Sequence, residues 1–400
     1  MPAEIGRWSR WDHSVTARGS RGERFDDSSH HRRRDRSPTR PAEYALAVAS
    51  SISALSWHAS AVEASQQSVQ DDGSSDEVTQ TERAVFGQMT AHEVRSFLDS
   101  YVQRQLGSPI SRVRFRAGRI DSVWGIDLDD GRAVVVKTHR LPMDLEAART
   151  TRDALEVLSD AGYPCPTPLS GPDEIDGRVV TAETLLIGEM PDGRDPGNRR
   201  LLADGLARHI ALLREWPDLA HRTGPGPSWC QYQEGPWPVP HDTIVDFSST
   251  HPGYEWVDEY GQRASVQVLH HRDTHEVVVG HADWYTVIDQ GVLAGTFGWE
   301  LVADTEAVIA GFAAACYAAR PTGGGGLSTP EEVVAFMRDY DQVRGEPLSS
   351  SQQRAAAGAA AWIGAFNARW QVALIQHDLA DYDTVNLVRQ RQDDFLSLSW

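Results

Sequence analysis

One lysine stands among 38 basic residues: Lys137, at the end of the apolar run AVVVK, against 37 arginines. An ammonium at the end of a strand that follows a tight turn can reach into a cleft and hold phosphate oxygens. A surface lysine at a strand end is the alternative. A second candidate lies in VVVGHADWYTVID, Val277 to Asp289, where an apolar strand delivers a His-x-Asp triplet into a turn. A carboxylate placed there can accept the proton of an attacking hydroxyl during group transfer, which makes Asp283 the candidate base. His281 would brace the turn's backbone, and the plainer reading of Asp283 is a turn cap. His271-Arg272-Asp273 imitates a catalytic triplet, but it precedes the apolar strand instead of following it. The loop RAGRIDSV, Arg116 to Val123, is placed to cover bound phosphates, with Gly118 giving backbone access and Ser122 a hydroxyl or amide. Phosphate cover, lysine and base are parts that phosphoryl transfer to a hydroxyl would need, although a loop with Gly118 alone and no GxGxxG is a weak signal by itself.

These residues need elements to position them. SRVRFRAG, SVWGIDL and RAVVVK alternate in polarity, and the Asp129–Gly131 turn between the last two is a strong hairpin signal. DLEAARTTRDALEVLSDAG reads as a helix that stops at Gly162 with Pro164 beyond it. RVVTAETLLIG reads as a buried strand, and after Pro191 the pattern is mainly helical, including an Ala-rich stretch from Gln352 to about Leu379. The run Gly323–Gly326 lies between two helical patterns and is read as a linker, not a phosphate cradle. The fold class expected is α+β: a two-lobed arrangement with a small antiparallel-sheet N-lobe and a mostly helical C-lobe.

Composition limits the partners. A formal net charge of −19 disfavours nucleic acid and anionic membranes and suits a cationic small molecule. No run of apolar residues is long enough for an ordinary membrane span. Cys165, Cys230 and Cys316 are far apart, which fits a reducing cytoplasm better than a disulfide framework. The first residues are rich in Ser, Arg, Asp and Gln, and ten arginines against six acids up to Arg40 describe a solvated tail better than a nucleic-acid arm. The domain reading is therefore a disordered extension over 1–85, a nucleotide-binding N-lobe over 86–190 and a helical C-lobe over 191–400. Met89 opens the first amphipathic helix, so the first 80 or so residues are expected to be dispensable for folding.

Lys137 after a hairpin, AGYPCPTPL after a helix, and GHADW followed by TFGWELVADTEAVIAG resemble the aminoglycoside phosphotransferase and choline kinase-like superfamily over roughly residues 90 to 380. The resemblance implies a two-lobed kinase-like fold with ATP and Mg2+ as cofactors. It also implies Lys137 on the phosphates, Asp283 as base and Ala182, Glu183 and Thr184 as an adenine-facing hinge. In the family an asparagine five residues after the aspartate, and an aspartate in a later Asp-Trp pair, hold magnesium. Those positions fall on Ile288 and Gly298, which carry no side-chain oxygen. Asp289 and Glu300 are the neighbouring carboxylates that would substitute as metal ligands. The family's helix partner for the lysine falls near Thr151, with Glu146 and Asp153 as substitutes. Two readings stay open: a phosphotransferase, and a non-catalytic pseudokinase that binds nucleotide or metabolite. Acids and aromatics in YEWVDEYG, Tyr254 to Gly261, are candidates for a cation site or a solvated helix face.

Overall fold

Gly131 closes the expected hairpin. Its φ of +90° is glycine's territory, and its N–H donates to the Leu128 carbonyl at 3.0 Å. The computed structural model describes residues 77–118, 120–233, 235, 237–240, 245–272, 276–318, 326–375 and 383–400. The first 76 residues, Asp273, and Gly323 to Gly325 lie outside them, and with them most of the expected extension and the glycine linker.

Helices α1 (Gln80–Phe86) and α2 (Ala91–Leu106) open the described region, each started by a capping box, Thr79 with Glu82 and Thr90 with Glu93. Five strands follow: β1 (Ile110–Ala117), β2 (Ser122–Leu128), β3 (Ala133–His139), β4 (Pro168–Ile175) and β5 (Arg178–Thr184), with α3 (Leu145–Asp160) between β3 and β4. They form one antiparallel sheet in the order β1-β2-β3-β5-β4. The alternation rule conceals β4, because it contains Pro168 and Pro172. Prolines are tolerated there because β4 is an edge strand. One sheet face packs Trp124, Ile126, Val134 and Val136 against Phe86, Val94, Leu98 and Tyr101 of α1 and α2. Packing therefore begins before Met89: Phe86 is 1% exposed and Glu82 2%. The helix Gln80–Phe86 thus belongs to the packed sheet lobe, a few residues ahead of the boundary expected at residue 86.

On the opposite sheet face Lys137 lies across from Val123 and Thr181, with Glu183 one pair further along β5. The second lobe contains α4 (Pro196–Arg214), α5 (Pro217–Arg222), a 3-10 turn (Ser228–Cys230) and α6 (Glu255–His271). It continues through β6 (Val278–His281), β7 (Tyr285–Asp289), β8 (Val292–Phe297) and β9 (Leu301–Asp304), in which β6 pairs with β9 and β7 with β8. Helices α7 (Glu306–Cys316), α8 (Pro330–Arg344), α9 (Ser350–Leu374) and α10 (Asp383–Leu396) complete it. Small residues let these helices approach closely; a Cβ on Gly311 of α7 would stand 2.3 Å from the Ala356 carbonyl of α9. Between the lobes, Leu155, Leu158 and Tyr163 pack on Leu213, Val279, Trp299 and Leu301. Glu189 in the interlobe linker exchanges two 2.8 Å backbone hydrogen bonds with Ile288 of β7. No described helix is long and apolar enough to cross a membrane.

Candidate active site

Strand β6 is buried along its length and ends in His281, whose side chain organises the turn that follows. Its Nδ1 accepts the amide protons of Asp283 and Trp284, each at 3.0 Å. The opposite nitrogen, Nε2, must then carry the proton, and it donates to the Phe297 carbonyl at 2.8 Å. The His281 amide donates to Nε2 of His209 at 3.3 Å. Burial first, and the neighbouring His281 second, lower the pKa of His209 to about 3, so it remains a neutral acceptor. Trp284 completes the turn with a φ of +57°. Asp283 is thereby fixed by backbone contacts on one side, while its carboxyl faces a cavity of 720 Å³ between the lobes.

The sheet wall of that cavity carries Gly118, Asp121, Lys137 and Glu183; the helical wall carries Trp229, Asp283, Tyr285, Gly298 and Glu300. Charges on the sheet wall are matched. Lys137 Nζ lies 2.7 Å from Glu183 Oε1. Asp121 contacts His139 Nδ1 at 2.7 Å and accepts the Arg140 amide proton at 2.9 Å. Burial opposes ionisation of Asp121, but the hydrogen bond and charge of His139 and the Arg140 amide outweigh it and hold the carboxyl below its usual range. The helical wall behaves in the opposite way. Desolvation raises the pKa of both Asp283 and Glu300, and for Glu300 the charges of Asp283 and then Asp121 add to it while Lys137 opposes. A hydrogen bond with Trp229 restrains the rise at Asp283. Glu300 opens onto the cavity, so solvent there moderates its own.

The structure of amicoumacin kinase hAmiN in complex with AMP-PNP, Ca2+ and Ami is similar to this chain at a TM-score of 0.52 and 14% identity, covering 76% of this chain and 96% of that one. Aminoglycoside phosphotransferase APH(4)-Ia is similar at 0.47 and 13%, over 77% and 98% of the two chains. A putative aminoglycoside phosphotransferase from Ralstonia eutropha is similar at 0.47 and 12%, over 75% and 95%. No family model and no curated protein matches the chain. The fold is that of the kinase-like small-molecule phosphotransferases.

Within this kinase-like fold the structure brings Gly118, Lys137, Ala182, Glu183, Asp283, Gly298 and Glu300 to one cavity. Ser122 and Thr184 are not among its lining residues. Ser122 is 1% exposed and its hydroxyl accepts the Trp124 indole proton at 3.2 Å, while the Thr184 hydroxyl accepts the Thr167 amide proton at 2.9 Å. Glu146 and Asp153 of α3 pair with Arg222, at 3.4 and 2.6 Å, and the lysine's partner comes instead from β5. A two-residue spacing across adjacent strands held that signal, since diagonal pairs on one sheet face interact.

Counting five residues from Asp283 presupposes a loop, but β7 already begins at Tyr285. The count therefore runs into the strand. Ile288 is paired on β7, and Asp289 is exposed beside the Gln290–Gly291 turn, away from the cavity. Of the two carboxylates proposed as substitute ligands, only Glu300 lines it. YEWVDEYG contributes nothing to the cavity either: Val257 and Tyr260 are core residues, and Asp258 accepts the Trp237 indole proton at 2.7 Å. Beside Tyr285 and Trp299, the lining includes residues that the sequence alone does not single out, Trp229 and a stripe on α9 formed by Ile363, Phe366, Asn367 and Trp370. The i, i+3, i+4, i+7 spacing of the α9 residues marks one helix face but not what that face lines.

Proposed function

We propose that the cavity binds a nucleoside triphosphate against the sheet wall and that Asp283 accepts the proton of a small-molecule hydroxyl as phosphate is transferred to it. The observation that carries this reading is the position of Asp283, held by His281 and facing the same cavity as Lys137. A raised carboxyl pKa suits a general base, because the acceptor's proton must be taken and later released near neutral pH. Lys137 would contribute a charge-assisted phosphate contact, exchanging part of its pairing with Glu183 for the ligand. Trp229, Phe366 and Trp370, together with the two carboxyls, suit an acceptor with a cationic group.

Magnesium is commonly held by one or two carboxylates plus the substrate's phosphates. Glu300 is the group that fits this role here, with Asp283 beside it; Gly298 and Ile288 supply no side-chain oxygen. When bound, the ion would neutralise phosphate charge.

Gly298, at the position where the family's metal aspartate is expected, favours a second reading in which the cavity binds nucleotide or metabolite without transfer. ATP titration with and without magnesium, followed by assay for phosphate release or transfer, separates the two. Magnesium-dependent turnover supports transfer; binding without turnover supports the second reading; absence of ATP binding defeats both.

A further inference from the structure

Helix α1 is joined to the loop that roofs the cavity. The Thr81 hydroxyl donates to the Gly118 carbonyl at 2.9 Å. Glu82 Oε1 accepts from Arg116 Nε at 2.9 Å, while its Oε2 accepts the Thr79 amide proton at 2.8 Å. Arg116 also donates to the Glu77 carbonyl at 2.8 Å and lies over the Trp124 ring, 4.9 Å from its centroid. Capping alone would not require Glu82 to be buried, since the equivalent cap Glu93 of α2 is exposed. Burying a carboxylate is costly unless it is paired and hydrogen-bonded, and Arg116 from β1 provides that pairing.

Gly118 and Asp121 approach closely. Gly118 has a φ of +104°, and a Cβ there would stand 1.8 Å from the Asp121 carbonyl oxygen. Gly118 is held by Thr81, and Asp121 by His139 and Arg140. Gly118 and Asp121 both line the cavity. A segment fixed at only one end would spend its binding energy on ordering when a ligand arrives.

We propose that Thr81 and Glu82 are positioning residues, clamping the roof loop in the form that accepts a nucleoside triphosphate. The ligand part of this inference rests on the proposed function above, whereas the clamp does not. Two readouts on Thr81→Val, Glu82→Gln and the exposed-face control Arg83→Ala test it: ATP affinity, and hydrogen exchange at the Gly118 and Asp121 amides.

Loss of one hydrogen bond at Thr81 should accelerate exchange of those amides about fivefold and weaken ATP binding by a similar factor, with helix content unchanged. Arg83→Ala should alter neither. Faster exchange confined to α1, with Gly118 and Asp121 unchanged, would show that the helix only covers the sheet and would overturn the clamp. ATP affinity unaltered in a variant whose loop exchange has risen would overturn the positioning role. If the unmodified protein binds no ATP, the proposed function fails on its own, and the exchange data alone decide the clamp.

Discussion

The two walls of the cavity solve opposite electrostatic problems. On the sheet wall each charged group has a partner, Lys137 in Glu183 and Asp121 in the hydrogen bonds of His139 and the Arg140 amide, so that wall is complete without a ligand. On the helical wall Asp283 and Glu300 repel one another, and among the described residues neither forms a salt bridge. A preorganised wall can orient phosphates at little cost, whereas a strained one gains most from a ligand that brings positive charge or takes up a proton.

The largest test of this contrast is Asp283→Asn. Removing a general base is expected to reduce transfer about 10²- to 10⁴-fold while ATP affinity stays nearly constant. Parallel turnover and titration measurements would reveal a shared loss, which would move Asp283 from chemistry to binding. On the other wall, Lys137→Met should weaken ATP binding about tenfold to hundredfold, as expected for a charge-assisted phosphate contact. Glu183→Gln releases the ammonium from its partner and should tighten ATP binding in the same titration. Weaker binding after Glu183→Gln would mean that the ion pair orients Lys137 more than it competes for it.

The helical wall makes a pH prediction. With both carboxyls raised, the folded protein retains protons that the unfolded chain releases, so this contribution is complete below about pH 4 and is lost as pH rises toward the elevated values. Glu300→Gln removes the repulsion. The wild-type melting temperature should therefore fall more steeply than the variant's between about pH 5 and about pH 8. Parallel slopes would show that the two groups do not interact. The smallest effect is expected from Gly298→Asp, since a left-handed φ of +69° is tolerated by aspartate. The added carboxylate should increase the magnesium dependence of ATP binding severalfold; an unchanged titration would place Gly298 away from the phosphates.

Legibility of the sequence followed the same division. The sheet wall depends on local patterns, alternation and an Asp-Gly turn, so Lys137 and the hairpin before it could be read directly. The family resemblance implies a hinge role for Glu183, and nothing in the sequence marks it as the lysine's partner, because cross-strand register depends on how β3 and β5 align. On the helical wall His281 and Asp283 were visible as a motif. Their surroundings were not, because a residue count carries no information about where a loop gives way to a strand, and β7 starts only two residues after Asp283. Trp229 and the α9 stripe reach the cavity through packing between segments far apart in the chain, so no local signal connects them to Asp283. α1 escaped notice because it is only seven residues long, too short for helical periodicity to distinguish it from its polar surroundings.

The paired hydrogen bonds between Glu189 and Ile288 have a mechanical consequence. They fasten the connection between the lobes to the β7–β8 hairpin, shortening the span of backbone available as a pivot. Gly188 reinforces the fastening, since a Cβ there would lie 2.7 Å from the Ile288 carbonyl oxygen. Rotation of one lobe about the other would have to break both bonds, at about 1 kcal/mol each. The pivot left between the lobes is thereby confined to the few residues before Glu189, and any rotation that moved Glu189 off β7 would carry that cost.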